Sequence, residues 1–521
     1  MYCTQPIRRS AQIQPNAIAT IHGDRQRTFA ELENRIARFA DALQQKIGVN
    51  PGDRVAILAL NSDRYYEYLF AVPWAGAVVV PLNIRWSTAE NVYSLEDSGS
   101  SVLLVDDTFL PVAEGIRETS NVVRTYIYMG DGETPAGMLN YETLIADAQP
   151  AEDADRGYDD LLGIFYTGGT TGFPKGVMIS HLNYYSSSVF AMADLDFNRP
   201  GVRYLHAAPM FHMADLAMGM GNTIAGNTHV FIPAFQPQTV AQAIEQQRVT
   251  ATLLVPTMVA MMLEQQAFAS ADISTLDQIV YGASPMPEGT LRQAMDALPN
   301  VAFYQGYGQT EMAPLVSILR PEYHVFEGPN AGKLRSAGQV GMVVDVKILD
   351  EEGNPLPVGG VGEVVSRGPN AMRGYWNKPE QTAKALVDGW VHTGDAGYLD
   401  EDGFLFLVDR MKDMIVSGGE NVFSAEVESA LTRHPAVHEV AVIGIPSEEW
   451  GEAVHAIVRL KPGEEVSEQE LIASCKEHIA GYKCPRSIEF RETPFPVTGA
   501  GKLRKMDLRD PYWEGRDRAI N

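Results

Sequence analysis

The apolar positions of the chain alternate between short continuous runs and stretches with helical spacing. A long amphipathic helix is predicted to begin at Thr28 and to continue to about Ile47. The run of residues 68–84 contains Pro73 and Pro81, which favours a buried helix leading into a strand over a membrane span. Buried strands are predicted at residues 55–60, 77–82, 102–105, 161–166, 252–255, 278–281 and 301–304. This alternation predicts largely parallel sheets with helices on both faces.

The pattern changes from about Gly338. Residues 343–349 and 362–365 resemble hairpin strands of a small β-barrel, and a charged cluster at 409–413 separates two short apolar strands. Such a cluster is ordinarily a solvated turn, but a compact unit of its own follows it. The predicted fold class is therefore α/β: a large N-terminal domain (1–411) of doubly wound, mainly parallel sheets plus the small barrel, and a small, mobile C-terminal α+β domain (412–521).

Length and charge narrow the function classes. A chain of 521 residues exceeds what one core usually supports, and its 45% apolar content is that of a folded enzyme. The formal net charge of −25 argues against nucleic-acid binding, which needs a cationic surface. An acidic protein that binds anions must gather local cations and backbone N–H groups around them.

Cysteine usage and the N-terminus indicate the compartment. Cys3, Cys475 and Cys484 are too few and too far apart for a disulfide framework or a CxxC metal site. The N-terminal residues lack the apolar core of a signal peptide. We therefore expect a cytoplasmic protein without stable membrane insertion.

The strongest candidate for chemistry is a polar loop that directly follows the predicted strand 161–166. Its glycines let the backbone approach a phosphate, its hydroxyls add donors and its lysine adds a charge. The alternative is an ordinary polar surface loop. The candidate phosphate-binding residues are Thr167, Gly168, Gly169, Thr170, Thr171, Gly172 and Lys175.

This loop, and the ordered motifs that follow it, resemble the adenylate-forming superfamily of acyl-CoA synthetases, adenylation domains and luciferases. The resemblance covers nearly the whole chain. Most members have serine where this chain has Gly169. One hydroxyl is therefore missing, but the backbone cradle is expected to remain.

The second motif, at residues 304–311, follows a predicted strand. An aromatic ring beside glycines suits stacking on adenine, and a carboxylate beside a triphosphate suits Mg²⁺. The resemblance implies that Tyr307 lies on adenine, that Thr310 contacts the α-phosphate, and that Glu311 holds Mg²⁺ together with Thr170. Nucleotide-binding roles are also implied for Gln305, Gly306 and Gly308 and, on the other wall of the adenine and acyl pockets, for Gly282, Ala283 and Ser284.

Two later motifs complete the adenylation site. By resemblance, Asp395 and Arg410 bind the ribose, although an isolated Thr-Gly-Asp is more often a turn. Lys502, in the Gly-rich tail, matches the family's catalytic lysine, which bridges the substrate carboxylate and the α-phosphate. The alternative is that a lysine in such a tail is exposed to solvent and has no function.

Coenzyme A contacts are implied only by resemblance. Lys412 lies at the position of the family's hinge, and Gly418 and Gly419 match a hairpin that lines the pantetheine tunnel. A tight turn explains this glycine pair equally well. Trp450 and Lys483 fall where relatives contact coenzyme A.

His212 matches the residue that guards the acyl site in relatives, although a lone histidine is as often a packed core residue. The methionines near it (Met213, Met218, Met220 and Met312) suit an apolar fatty or aromatic acid, but they are also ordinary core residues. No cation is evident there for a second carboxylate.

The predicted function is ATP-dependent ligation of a carboxylic acid to coenzyme A through an acyl-adenylate. ATP, Mg²⁺ and coenzyme A are the expected cofactors and co-substrates, and the oligomeric state is left open between a monomer and a homodimer. One alternative is an enzyme that loads a carrier protein in trans, and a luciferase-like use of the adenylate is a more remote one. Another is a non-catalytic nucleotide sensor, which should have lost Lys502 or Glu311.

Overall fold

The structure, a computed structural model, describes residues 1–168, 174–284, 286–411, 413–418, 420–447, 449–497 and 503–514. Several residues that the sequence assigns to the site lie outside these ranges: Gly169, Thr170, Thr171, Gly172, Lys412, Gly419 and Lys502.

The described helices and strands alternate along the first two thirds of the chain. The helices are α1 (Gln5–Ile13), α2 (Phe29–Asp41), α3 (Asp63–Trp74), α4 (Thr88–Ser98), α5 (Leu110–Thr119), α6 (Tyr141–Asp147), α7 (His181–Asp194), α8 (Met213–Ala225), α9 (Pro237–Gln247), α10 (Pro256–Glu264), α11 (Glu288–Ala297), α12 (Pro379–Ala385), α13 (Ser424–Leu431), α14 (Glu468–Lys476) and α15 (Lys505–Trp513).

The strands are β1 (Ile18–His22), β2 (Arg25–Thr28), β3 (Arg54–Leu58), β4 (Val78–Pro81), β5 (Val102–Val105), β6 (Thr125–Tyr128), β7 (Leu139–Asn140), β8 (Leu161–Thr167), β9 (Lys175–Ser180), β10 (Arg203–His206), β11 (Thr228–Phe231), β12 (Ala251–Leu253), β13 (Gln278–Gly282), β14 (Ala302–Gly308), β15 (Leu315–Leu319), β16 (Gln339–Val340), β17 (Asp345–Leu349), β18 (Gly362–Arg367), β19 (Gly374–Tyr375), β20 (Leu386–Val387), β21 (Trp390–Leu399), β22 (Leu405–Arg410), β23 (Ile415–Ser417), β24 (Glu420–Val422), β25 (Val437–Ser447), β26 (Gly451–Leu460) and β27 (Ser487–Phe490).

Contacts divide the chain into two compact units. The first contains residues 1–346 and 366–391, and the second contains residues 347–365 and 392–521. The sequence-based boundary at residue 412 stays a prediction. This grouping differs from it in placing most of β17, β18, β21 and β22 with the C-terminal residues.

The first unit has two large, mainly parallel sheets. Eight described strands form one in the order β19-β9-β8-β4-β3-β5-β6-β7, and nine form the other in the order β16-β15-β14-β13-β12-β10-β11-β1-β2. Antiparallel pairs occur at their ends, as between β8 and β9 and between β14 and β15. Fully apolar strands such as β4 and β5 are buried throughout, because helices cover both faces. The predicted α/β class is confirmed.

The second unit is α+β. Its main sheet has the order β24-β23-β26-β25 with β27 beside β26, and α13 and α14 pack with it around a core that includes Val427 and Leu471. The hairpins predicted from about residue 338 are present as a smaller sheet, with β17, β18 and β21 side by side and β22 on β21. The closure of these strands into a barrel stays a prediction.

Local signals set the start of the predicted long helix. The Thr28 side chain accepts from the Glu31 backbone amide, and the Glu31 carboxylate accepts from Thr28, which forms a capping box. Helix α2 begins at Phe29 and continues as a π-helical turn over Ala42–Ile47. In the part of the chain that the structure describes, no helix combines the length and hydrophobicity of a membrane span.

Candidate active site

The two ends of the predicted phosphate loop are held side by side by a β-hairpin. Strand β8 pairs antiparallel with β9, and Thr167 is opposite Lys175 in the register. The Thr167 hydroxyl donates to the Lys175 carbonyl at 3.5 Å. Gly168 follows directly, with open space where a Cβ would lie. The intervening loop residues are outside the described chain, so the structure fixes where the loop leaves and re-enters the sheet.

Tyr375 joins the phosphate-loop lysine to the predicted magnesium ligand. The Lys175 ammonium lies 5.1 Å from the centre of the Tyr375 ring, within the range of a cation–π contact. The Tyr375 hydroxyl donates to Glu311 Oε1 at 2.8 Å. Burial, with the adjacent Glu311 charge, holds the pKa of Tyr375 far above its ordinary value, so it stays a donor. Two motifs far apart in sequence thus meet at one side chain that the sequence analysis had not selected.

The backbone around Glu311 is also fixed by the segment that carries Tyr375. Thr310 begins a 3₁₀ turn, Thr310–Met312, and the Met372 amide donates to the Glu311 carbonyl at 2.8 Å. The Asn370 amide group donates to the carbonyls of Met312 and Leu315, each at 2.8 Å. Tyr375 engages one carboxylate oxygen of Glu311, and a carboxylate has a second oxygen for a hard cation. The residue therefore fits the predicted Mg²⁺ role.

The two predicted adenine walls are neighbouring strand ends. Gly282 of β13 is in parallel register with Gly306 of β14, and a Cβ at Gly282 would lie 2.2 Å from the Gly306 carbonyl oxygen. Only glycine permits this approach. The structure therefore brings the following segments to one edge of the sheet: Gly282, Ala283 and Ser284 after β13, and Gln305, Gly306, Tyr307 and Gly308 at the end of β14.

Gln305 lies beside a buried pair that sequence reasoning missed. His324 Nδ1 lies 2.9 Å from the Arg320 carbonyl oxygen, and His324 Nε2 lies 3.0 Å from the Tyr281 hydroxyl. Burial lowers the pKa of His324 to about 4, so the ring is neutral: Nδ1–H donates to Arg320 and Nε2 accepts from Tyr281. The Tyr281 oxygen also lies 3.2 Å from Gln305 Oε1, so the hydroxyl that His324 positions is the neighbour of the Gln305 carbonyl.

His212 lies at the N-terminus of α8, in a loop that Asn61 supports. The Asn61 side chain donates to the carbonyls of His206 and Ala208 at 3.2 and 2.8 Å and accepts from the Met210 amide at 2.8 Å. The ring centres of Phe211 and His212 are 4.2 Å apart.

The methionines predicted to line an acyl pocket are buried in the structure. Met213 and Met220 belong to one hydrophobic cluster, Met218 belongs to a second and Met312 to a third, and each is at most 3% exposed. Such burial is common to core residues and to the wall of a closed apolar pocket, so the acyl-pocket role stays a prediction.

The predicted ribose-binding residues are partners in the second unit. Asp395 of β21 is opposite Arg410 of β22, and Arg410 Nε lies 3.6 Å from Asp395 Oδ1. The Thr393 hydroxyl accepts from the Asp395 amide at 3.1 Å and donates to the Val364 carbonyl at 2.6 Å, which fixes the turn. The Arg410 side chain is half exposed, whereas that of Asp395 is 18% exposed.

The structure places Gly418 and Trp450 together and gives Lys483 a different partner. The Gly418 amide donates to the Trp450 carbonyl at 2.8 Å, and a Cβ at Gly418 would lie 2.8 Å from the indole. Arg486, missed by the sequence analysis, lies 4.7 Å from the centre of the same ring. Lys483 forms an ion pair with Glu426, 2.8 Å from each carboxylate oxygen. A coenzyme A contact by Lys483 would have to compete with that carboxylate.

Two family models match the chain. The model of the family described as AMP-binding enzyme matches residues 7–376, and the model of the AMP-binding enzyme C-terminal domain matches residues 426–502. The matches end and begin on either side of the boundary that the sequence predicts at residue 412.

Individual relatives cover nearly the whole chain. A feruloyl-CoA synthase of an Amycolatopsis species is 41% identical over 508 residues, which is 97% of this chain and 97% of the relative. A fatty acid–[acyl-carrier-protein] ligase, ScoC, of Streptomyces coeruleorubidus is 37% identical over 98% of this chain and 96% of its own. The solved structure of o-succinylbenzoate CoA synthetase from Bacillus subtilis, in complex with its acyl-adenylate intermediate, is 33% identical, with a TM-score of 0.84 over 97% of this chain and 98% of that one.

Proposed function

Because this chain belongs to the AMP-binding enzyme family, we propose that it is an ATP-dependent ligase that joins a carboxylic acid to coenzyme A. In the first half-reaction the substrate carboxylate attacks the α-phosphorus of ATP, and pyrophosphate leaves as the acyl-adenylate forms. In the second, the thiol of coenzyme A attacks the acyl carbon, and AMP leaves as the thioester forms.

The observation that carries this proposal is the assembly of Lys175, Tyr375 and Glu311. These residues come from the phosphate loop, a later strand and the Tyr-Gly-Gln-Thr-Glu motif, and the fold brings them within one hydrogen bond and one cation–π contact of each other. A cation and a carboxylate fixed beside a glycine-rich loop suit a triphosphate with its metal ion. A polar surface loop would need no such partner.

The chemistry requires charge compensation more than proton transfer. A carboxylic acid is already ionised at neutral pH, so no general base is needed. The obstacle is repulsion between this anion and the phosphates, and positioned cations and N–H groups reduce it. Mg²⁺, held by Glu311 with Thr170, would neutralise phosphate charge. Lys175 would contact the triphosphate, and Lys502 the carboxylate and α-phosphate.

The acid is proposed to be apolar, either aromatic or fatty. The support comes from the named activities of the relatives, which include feruloyl-CoA synthase and a long-chain fatty acid–CoA ligase that is 35% identical over 97% of this chain. Three free, buried cysteines and the use of ATP and coenzyme A fit a reducing cytoplasmic location, which we also propose.

A carrier protein is the second candidate for the acyl acceptor. ScoC, named for ligation to an acyl-carrier protein, is 37% identical, so overall similarity alone does not distinguish the two acceptors. The non-catalytic sensor is disfavoured, because Lys502 and Glu311 are both retained.

The proposal is tested by supplying Mg²⁺, ATP and a panel of ferulic, cinnamic, benzoic and fatty acids, with and without coenzyme A. We expect pyrophosphate release with at least one acid and AMP release only when the thiol is present. Replacing coenzyme A with a phosphopantetheinylated carrier protein distinguishes the two acceptors. Absence of pyrophosphate with every acid would refute adenylation.

Tyr375→Phe should weaken the use of Mg²⁺. The substitution removes only the hydroxyl that binds Glu311, and a hydrogen bond to a charged group contributes about 1.5–3 kcal/mol. We expect an approximately tenfold fall in pyrophosphate release at limiting Mg²⁺, partly restored at high Mg²⁺. Tyr158→Phe, at a side chain that is 58% exposed, is the matched control. An unchanged Mg²⁺ dependence would contradict the role given to Tyr375.

Lys412→Pro tests the predicted hinge. Proline fixes the backbone φ angle, so a rotation about this residue should be hindered. Adenylation should stay within about twofold, whereas thioester formation from supplied acyl-adenylate should fall about tenfold or more, by analogy with other conformational steps that limit turnover. An equal loss in both half-reactions would argue against a hinge at this position.

A further inference from the structure

Lys505, the first residue of α15, is anchored inside the second unit. Its ammonium lies 2.7 Å from Glu428 Oε1 and donates to the Ser424 hydroxyl at 2.6 Å. The lysine side chain is 14% exposed and that of Glu428 is 20% exposed. Burial alone would lower the pKa of Lys505, but the carboxylates of Glu428 and Asp409 raise it above its ordinary value, so the ammonium is charged at neutral pH.

Ser424 connects this lysine to the strand that carries Arg410. The Ser424 hydroxyl donates to Asp409 Oδ2 at 2.7 Å, and the Ser424 amide donates to the same oxygen. Asp409 therefore accepts at the N-terminus of α13, where a negative charge is favourable. Its other carboxylate oxygen accepts from the Arg410 amide at 2.7 Å. A continuous polar path thus runs from Lys505 through Ser424 to the residue adjacent to Arg410.

The chain just before Lys505 is also fixed. Val497 and Leu503 form an antiparallel bridge, and the Arg504 amide donates to the Pro496 carbonyl at 2.9 Å. These contacts hold together the described residues on either side of the Gly-rich segment that contains Lys502. Lys502 itself is outside the described residues, but it is bonded directly to Leu503.

We propose that Lys505 is a positioning residue for adenylation, which sets the N-terminus of α15, just after Lys502 in the chain, relative to the strand that bears Arg410. The inference rests on the proposed function. Arg410 and Lys502 are assigned to the ribose and the α-phosphate of one nucleotide. The distance between the two side chains must therefore match the distance between those two groups of the nucleotide. A misplacement of about 1 Å can cost about 100-fold in rate.

The alternative is that the ion pair of Lys505 with Glu428 only stabilises the unit. The contacts of Lys505 on its two sides bear on this choice. Glu428 satisfies the charge of Lys505 and also accepts from the Val442 amide at 2.7 Å, within the core of the unit. The bond from Lys505 to Ser424 leads instead to Asp409, beside the predicted ribose site. A structural role predicts equal loss in both half-reactions, whereas a positioning role predicts loss in adenylation alone.

The test compares Lys505→Arg, Lys505→Met and the double variant Lys505→Met/Glu428→Gln. The double variant removes both buried charges, and the glutamine oxygen still accepts from the Val442 amide. We expect it to melt near the wild-type temperature, to lose about 10–100-fold in the adenylation kcat with the KM for the acid unchanged, and to make thioester from supplied acyl-adenylate at the wild-type rate. Lys505→Arg should recover part of the adenylation rate.

Arg459→Met is the matched control, because it removes another ion pair of the same unit, between Arg459 of β26 and Glu439 of β25. It should leave both half-reactions unchanged. Equal losses in the two half-reactions of the folded double variant, or wild-type adenylation by it, would overturn the inference. A wild-type protein that releases no pyrophosphate would instead refute the proposed function.

Discussion

Lys502→Ala should lower the rate of acyl-adenylate formation by roughly 10²–10³-fold, the scale for losing one preorganised charge partner in a transition state. The lysine is the predicted bridge between the attacking carboxylate and the α-phosphate oxygens, where negative charge accumulates. The Val497–Leu503 bridge holds the ends of its loop together. Single-turnover measurement of pyrophosphate release at saturating ATP and acid gives the rate directly.

The second half-reaction supplies the internal control for this substitution. Thioester formation from a supplied acyl-adenylate should stay near the wild-type rate, because the carboxylate–phosphorus bond that Lys502 is predicted to assist has already formed. Lys476→Ala, at an exposed lysine of the same unit, should alter neither step. Parallel losses in the two half-reactions would show that Lys502 is not specific to adenylation.

Gly308→Ala should disrupt the first unit at the adenine site. A Cβ at this position would lie 1.8 Å from the Pro314 carbonyl oxygen, and Gly308 is paired with Leu315 in the β14–β15 register. Because the clashing oxygen belongs to the backbone, β14 and β15 themselves must move apart. We expect a destabilisation of about 3 kcal/mol, the upper range for overpacking, with loss of ATP binding because Tyr307 and Thr310 are displaced.

Gly289→Ala is the matched control for the glycine substitution. Gly289 is in α11 of the same unit, and a Cβ at this position would extend into open space. Alanine there should stabilise the protein by up to about 1 kcal/mol. Denaturant unfolding and nucleotide titration of both variants check the contrast. If the Gly308→Ala variant has the same unfolding free energy and the same ATP affinity as the wild type, the close approach of β14 to Pro314 is not required.

Several strands of the fold could be predicted because they are continuously apolar. The run 102–105 corresponds residue for residue to β5, and 161–166 differs from β8 by one residue. The hairpin β1–β2 and helix α1 were missed. Strand β2 has the sequence Arg-Gln-Arg-Thr, and its arginines pair with carboxylates of α3, such as Arg25 with Asp63. Its conformation therefore depends on tertiary partners, and its own pattern gives no signal.

The candidate site likewise contains residues that the sequence could identify and residues that it could not. Tyr307, Thr310 and Glu311 could be selected because they share one short motif, and chain connectivity alone keeps them close. Tyr375 gave no such signal, since it lies outside the motifs selected and acquires its role only when β19 pairs with β9. The neutral state of His324, and so its contact with Tyr281 beside Gln305, also depends on burial.

By itself, the sequence determined the α/β class, the ordered phosphate, adenine, ribose and lysine motifs, and the family they resemble. Those features depend on residue type and on separation along the chain. The tertiary structure decided which distant groups meet: Lys175 and Glu311 at Tyr375, and Lys505 with Asp409 through Ser424. The physical reason is that hydrogen bonds and ion pairs act only over a few ångströms, and packing of strands and helices alone brings such residues within that range.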